Sequence, residues 1–174
     1  MVRSALQSNK RIGEGPVPAA DFIPAVSVLI AILLCGLPII VENGWFPDFG
    51  FMMLIAWRLR RPDVWPAWWA AVLGFANDLF SGAPIGLSVA VWTGAMLVCD
   101  FADRRILWRD YWIEWALAAV LITMAETAEW QVAAWMGAQL PFSAVVPALL
   151  ISIAAFPLFA WTVAGIDRWR FRRR

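Results

Sequence analysis

Long apolar runs separated by short polar turns recur along this chain from residue 22 to residue 166. Runs of this length, with few internal charges, predict helices that cross a ~30 Å hydrocarbon layer. The first span is predicted over Phe22–Val41, with Pro38 bending its outer end. The second is short: only ten residues separate Pro47 from Arg58. Ten helical residues reach roughly 15 Å, half the hydrocarbon thickness. This segment is therefore expected to be a short helix shielded by its neighbours and ending near Arg60. Span three is predicted over Trp65–Phe80 and span four over Ile85–Phe101, joined by the tight loop SGAPIG. Pro84 suits the first turn of a helix, where its missing N–H costs nothing. Span five is predicted over Tyr111–Met136, and span six over Ser143–Ile166 with Pro147 and Pro157 inside it. Residues 1–21 read as a flexible polar tail, residues 22–167 as one six-span domain, and residues 168–174 as a basic tail.

Charge orients these spans. All 14 basic residues can be placed on one side of a membrane. Arg3, Lys10 and Arg11 precede the first run. Arg58, Arg60 and Arg61 occupy one turn, and Arg104, Arg105 and Arg109 another. Arg168, Arg170, Arg172, Arg173 and Arg174 close the chain. The alternate loops VENGWFPDFG, SGAPIG and GAQLPFS carry no Lys or Arg. Basic residues are retained on the cytoplasmic side during insertion, so both termini are expected to be cytoplasmic. The predicted class is an all-α integral membrane protein with six transmembrane helices, N-in and C-in.

Composition agrees: 62% of the 174 residues are apolar, against about 45–50% in soluble domains. The net charge of +1 hides segregated charges. The arginine clusters are short and abut spans, which argues against nucleic-acid binding and suits membrane lipid headgroups. Thirteen tryptophans are present. Trp57, Trp65, Trp68, Trp69, Trp108, Trp112, Trp115 and Trp169 are expected near the cytoplasmic interface, and Trp45 and Trp135 near the outer one. Trp92 and Trp130 fall deeper. Cys35 and Cys99 are expected at opposite depths, roughly 20 Å apart along the helices, too far for a disulfide. The chain has no His, so a transition-metal or haem site is not expected, and no cofactor is implied.

Three constellations could carry function. The first is GFANDLFSGAPIG, residues 74–86. Gly82, Gly86, Ala90 and Gly94 recur every fourth residue, a spacing that lets helix backbones approach closely. This suits a tight helical hairpin, or the wall of an outward-facing pocket bearing Asp78. Asp78 needs a donor at that depth, and the N–H groups of the following helix start are near in sequence. The second is Glu126 and Glu129, three apart on one helix face near the middle of span five. With every basic residue at the other side, they need protons, internal hydrogen-bond donors, a donor from another chain, or a role in ion passage. The third is the arginine-rich turns, Arg58, Arg60 and Arg61 with Arg104 and Arg105, read as topology signals or a cytoplasmic docking surface. No GxSxG, HExxH or Walker A sequence occurs, so no enzyme template fits.

The stretch WRLRRPDVWPAWWAAVLGFANDLFSGAPIGLSVAVW, residues 57–92, resembles the bacterial rod shape-determining protein MreD family. The matching features are Trp57, Arg61-Pro62, Gly74, Asp78, Gly82, Pro84 and Gly86, with Leu37-Pro38 and Trp45-Phe46-Pro47 upstream. Asn77 departs from an aliphatic residue common in that family. The resemblance implies a non-enzymatic membrane scaffold of the cell-wall elongation machinery in the bacterial cytoplasmic membrane. It implies MreC as direct partner, with RodA, a penicillin-binding transpeptidase and MreB reached indirectly. It also implies a fold similar to the substrate-binding subunit of energy-coupling-factor transporters. Asp78, Gly82, Pro84 and Gly86 would then shape the hairpin, and Glu126 and Glu129 would meet the partner. The alternative is a small-molecule-binding subunit of a transporter, with a vitamin-like ligand near Asp78 and Trp92, whereas Gly94 belongs to the small-residue face for a partner helix.

Overall fold

The computed structural model describes residues 18–36, 47–62, 66–105, 110–138 and 141–172. Among these there are six α-helices and no strand. They are α1 (Pro18–Cys35), α2 (Phe49–Arg60), α3 (Trp68–Ser81), α4 (Leu87–Arg105), α5 (Tyr111–Trp135) and α6 (Val146–Arg172). A 3-10 turn, Phe142–Ala144, leads into α6. Pro38, Trp45, Trp65, Trp108, Arg109 and most of the predicted N-terminal tail lie outside the described residues. The helices otherwise fall where the apolar runs place them. Two ends differ. α1 begins at Pro18, ahead of Phe22. The basic residues from Arg168 to Arg172 continue α6 rather than forming a separate tail.

The short second helix is the hub. Every residue from Gly50 to Leu59 is buried, as expected of a helix apolar all round. α2 packs against α1, α4, α5 and α6. α3 pairs with both α1 and α4, and α5 with α4 and α6, so the other five helices surround it. Asp48 starts α2 by accepting the Phe51 N–H at 3.0 Å, a side-chain N-cap. At its far end Arg61 N–H closes on the Trp57 carbonyl at 2.8 Å, and Pro62 follows, unable to extend the helix. Gly50 is required here: a Cβ would stand 2.7 Å from Ile32 and 2.9 Å from Trp92. Trp57, expected near the cytoplasmic interface, turns into the bundle rather than outward. It is buried, and its indole donates to Ser27 Oγ at 2.8 Å. Ser27 in turn donates to the Pro24 carbonyl at 2.7 Å.

The outward faces of the bundle are apolar. Phe22, Val26, Ile30 and Leu33 on α1, Val120 and Met124 on α5, and Leu150 and Leu158 on α6 are all exposed. Continuous apolar surface of this extent suits a bilayer rather than water. Among the described residues one helical stretch, Phe142–Trp169, is long and apolar enough to cross a membrane by itself, and Phe22–Cys35 is a shorter apolar helix. The others fall short for local reasons. α2 has 12 residues and α3 has 14. α4 ends in a charged Asp-Phe-Ala-Asp-Arg-Arg sequence, and α5 carries Glu114, Glu126 and Glu129.

Pro157 interrupts α6 and cannot donate to the carbonyl four residues back, that of Ile153. Trp115 of α5 supplies the missing donor, its Nε1 lying 3.0 Å from that oxygen. A proline in one helix is thus tied to an indole on its neighbour.

Candidate functional site

The helices alternate in direction, so the bundle has two chemically different ends. One end gathers the described arginines. Arg58, buried on α2, donates through Nη2 to Asp100 and, at 2.7 Å, to Asp103 of α4. Arg61 and Arg60 bracket Asp167 of α6, with Nε atoms 3.3 and 3.6 Å from Oδ2. These pairs bind α2 to α4 and to α6. Arg104 and Arg105 are exposed, and the Arg105 guanidinium lies 5.3 Å from the centre of the Phe101 ring. The arginine turns are therefore partly internal structure and partly surface.

The opposite end holds a polar cavity of about 450 Å³. Its walls come from the end of α1, the start of α2, the α3–α4 hairpin, the later half of α5 and the start of α6. Asp48, Asn77, Ser88, Glu126 and Glu129 line it, together with Cys35 and Pro84. Asn77 donates to Ser88 Oγ at 3.1 Å and to Asp48 Oδ2 at 3.4 Å. This side chain thus ties α2 to the hairpin. Cys35 accepts the Phe49 N–H through Sγ at 3.3 Å. Both cysteines are free thiols.

Glu126 and Glu129 project from α5 into this cavity together, and among the described residues neither has a hydrogen-bond or ion-pair partner. Among the described residues no basic side chain lines the cavity. Three carboxylates, those of Asp48, Glu126 and Glu129, therefore face one open cavity without a described cation. Groups of that kind need an external donor, a cation or protons. No set of His, Cys, Asp and Glu among the described residues is arranged to hold a metal ion.

Asp78 and Trp92 do not line the cavity, which departs from the pocket expected near them. Asp78 is buried, and its two oxygens accept the backbone N–H groups of Gly86 at 2.7 Å and Ser88 at 2.8 Å. It caps α4 from the neighbouring helix and fixes the loop that carries Pro84 and Ser88 to the cavity wall. Gly82 and Gly86 make that loop possible through φ values of 69° and 101°, a region open to glycine. Trp92 is fully buried against Phe51, with ring centres 6.0 Å apart. Asp78→Asn presents an amide N–H₂ to a backbone donor and removes at least one charge-assisted bond, worth about 1.5–3 kcal/mol. The expected result is a lower thermal midpoint and faster proteolysis within residues 82–86. An unchanged midpoint would show that the cap is dispensable.

The small-residue stripe also divides. The close approach of α3 to α4 is made by Gly74, where a Cβ would lie 2.7 Å from the Ser88 carbonyl oxygen. A Cβ at Gly94 would meet nothing within 4 Å. Gly94 instead lines an open apolar groove between α4 and α5, with Ala90, Val98, Leu121, Met124 and Ala128. Among the cavity residues, Asp48 and Ser88 escaped sequence reasoning. Asp48 lies in the loop VENGWFPDFG, and only the folded chain brings it to Asn77 and the α5 carboxylates.

A family model for the rod shape-determining protein MreD matches residues 20–164 of this chain. No curated protein and no solved structure matches it. The matched residues include the hairpin, the cavity walls and both arginine turns, and the chain belongs to the MreD family.

Proposed function

We propose that this MreD-family chain is a non-enzymatic membrane scaffold of the bacterial cell-wall elongation machinery that binds MreC. Membership of a family concerned with rod shape supports a role in shape determination. In the proposed arrangement all six helices lie in the cytoplasmic membrane, with both termini and the arginine end cytoplasmic, following the retention of basic residues inside. RodA, the transpeptidase and MreB are reached through MreC.

The observation that carries this reading is the cavity with Glu126 and Glu129 directed into it. It opens at the end away from the arginines, which in this arrangement is the periplasmic side. A single-span partner emerging there can place a Lys, an Arg or backbone N–H groups against the two carboxylates. A charge-assisted hydrogen bond of that kind contributes about 1.5–3 kcal/mol, enough to decide between partners. The apolar groove containing Gly94 offers an adjoining path for the partner helix.

The test is co-purification with MreC from membranes in mild detergent. The double substitution Glu126→Gln with Glu129→Gln is expected to reduce recovered MreC by about tenfold or more, each 1.4 kcal/mol being tenfold. Gly94→Leu fills an open groove without an internal clash and is expected to reduce recovery too. Gly86→Leu is a poor probe, because strain at a φ of 101° confounds fold with binding. Full recovery in both informative variants would remove the cavity and groove from the interface.

The cavity volume also supports a second reading, a small-molecule-binding subunit of a transporter. Purified chain carrying a stoichiometric organic ligand, with no MreC, would favour that reading.

A further inference from the structure

A recess of about 10 Å³ lies below the polar cavity, between α2, α5 and α6. Its lining sits one turn deeper along each helix. Phe51 and Met52 lie below Asp48, Ile122 and Ala125 below Glu126 and Glu129, and Ser152 below Ala148. Asp48, Glu126 and Glu129 line both spaces, so the three carboxylates stand at the boundary between them. We propose that this boundary seats one primary ammonium group, the end of a lysine side chain of the single-span partner. The source of the lysine rests on the scaffold reading; the ammonium seat rests on this chain alone.

The supply of donors selects the group. Ser152 is buried, and its hydroxyl donates to the Ala148 carbonyl at 2.8 Å. Only its acceptor lone pairs remain for the recess. Asn77 commits its amide N–H groups to Ser88 at 3.1 Å and Asp48 at 3.4 Å. The Phe51 N–H is also spent on Asp48, at 3.0 Å. Among the described residues, the side chains lining the recess therefore offer acceptors and no spare donor. An alcohol, an amide or a backbone segment brings an acceptor along with its donor. An ammonium brings three donors and no acceptor, one donor for each carboxylate. A guanidinium is acceptor-free too, but it is a broad planar fork. A recess of this volume admits a group about the size of one water molecule, which suits the ammonium and excludes the fork. The unbranched lysine stem then lies in the wider cavity, against Pro84, Leu87 and Ala133.

The first arm of the experiment uses the full chain in detergent without a partner. The probes are n-butylammonium, n-propylguanidinium and tetramethylammonium, which carry the same charge, and thermal midpoints are read over a concentration series. n-Butylammonium is expected to stabilise the chain at about tenfold lower concentration than n-propylguanidinium. Tetramethylammonium, which has no N–H, should not stabilise it. Glu126→Gln and Glu129→Gln should each weaken the n-butylammonium response by about tenfold. Ser152→Val fills the recess and should erase the advantage over the guanidinium with all three carboxylates kept. Asp110→Asn, an exposed carboxylate at the arginine end, should leave every response unchanged. Equal potency of the ammonium and guanidinium probes, or an advantage that survives in both Glu variants, would overturn the seat. Variants on two helices keep the test sound if one of them fails to fold. The second arm treats the complex with MreC with an amine-acylating reagent and maps the modified lysines by mass spectrometry. One MreC lysine is expected to be shielded with the wild-type chain and to react with Glu129→Gln. No shielded lysine, with the probe preference intact, would overturn the partner as source and assign the seat to a free alkylamine. Failure of the wild-type chain to recover MreC would count only against the scaffold reading, because the first arm needs no partner.

Discussion

Leucine in place of Gly74 is expected to leave little folded protein. A Cβ at this position would lie 2.7 Å from the Ser88 oxygen, 2.8 Å from its carbonyl carbon and 2.9 Å from Val89 Cα. All three are backbone atoms, so no side chain can swing away. The helices must separate. Ser88 would then move away from Asn77, and the Asp78 cap on Gly86 and Ser88 would be pulled out of register. Overpacking commonly costs about 1–3 kcal/mol. A clash with an unyielding backbone, combined with a lost cap, places this change on the order of 4 kcal/mol. At about 2–4 °C per kcal/mol for a chain of this size, the midpoint should fall by roughly 10 °C or more. Size-exclusion profiles and thermal melts in detergent would show it, with Gly94→Leu as the comparison. A monodisperse Gly74→Leu sample melting with the wild type would refute the close approach of α3 and α4.

The second large effect is expected from Asp100→Asn combined with Asp103→Asn. The ion cluster is asymmetric. Arg58 is 4% exposed, whereas Asp100 is 41% and Asp103 23%. Removing the guanidinium leaves two carboxylates that water can reach. Removing both carboxylates strands a buried cation at the end of the central helix. A buried charge that loses its partner typically costs about 3–5 kcal/mol. The double Asp variant should therefore melt well below Arg58→Met, although it deletes the more exposed residues. Restoring one of the two aspartates should recover much of the difference. The reverse order of midpoints would mean that Arg58 is solvated through some other route.

Much of this architecture was legible in the chain. Apolar runs place the helices, and the count of ten residues between Pro47 and Arg58 already implied a shielded α2. Glu126 and Glu129 are correctly read as one face, because a spacing of three is fixed by helix geometry. What stayed hidden depends on which face turns inward. Gly74 and Gly94 look alike as small residues between apolar ones, yet one is wedged against backbone and the other borders an open groove. Trp57 has the composition of an interfacial residue, and only its meeting with Ser27, 30 positions earlier, puts it in the core. Asp48 depends on Asn77, 29 positions later. Asp78 is different: the N–H groups of the following helix start are expected near it from sequence, although its place off the cavity wall is not. That same helix start consumes both of its oxygens.

The central position of α2 has a consequence for how the protein is made. The ribosome delivers α2 before α4, α5 and α6, which pack against it. α6 packs along it, and Arg61 reaches Asp167 across 106 positions of sequence. Twelve residues reach only about 18 Å along the helix axis, too short to hold a place in the bilayer alone. Until α6 has been made, the Gly50–Leu59 core is left open on the side that α6 packs against.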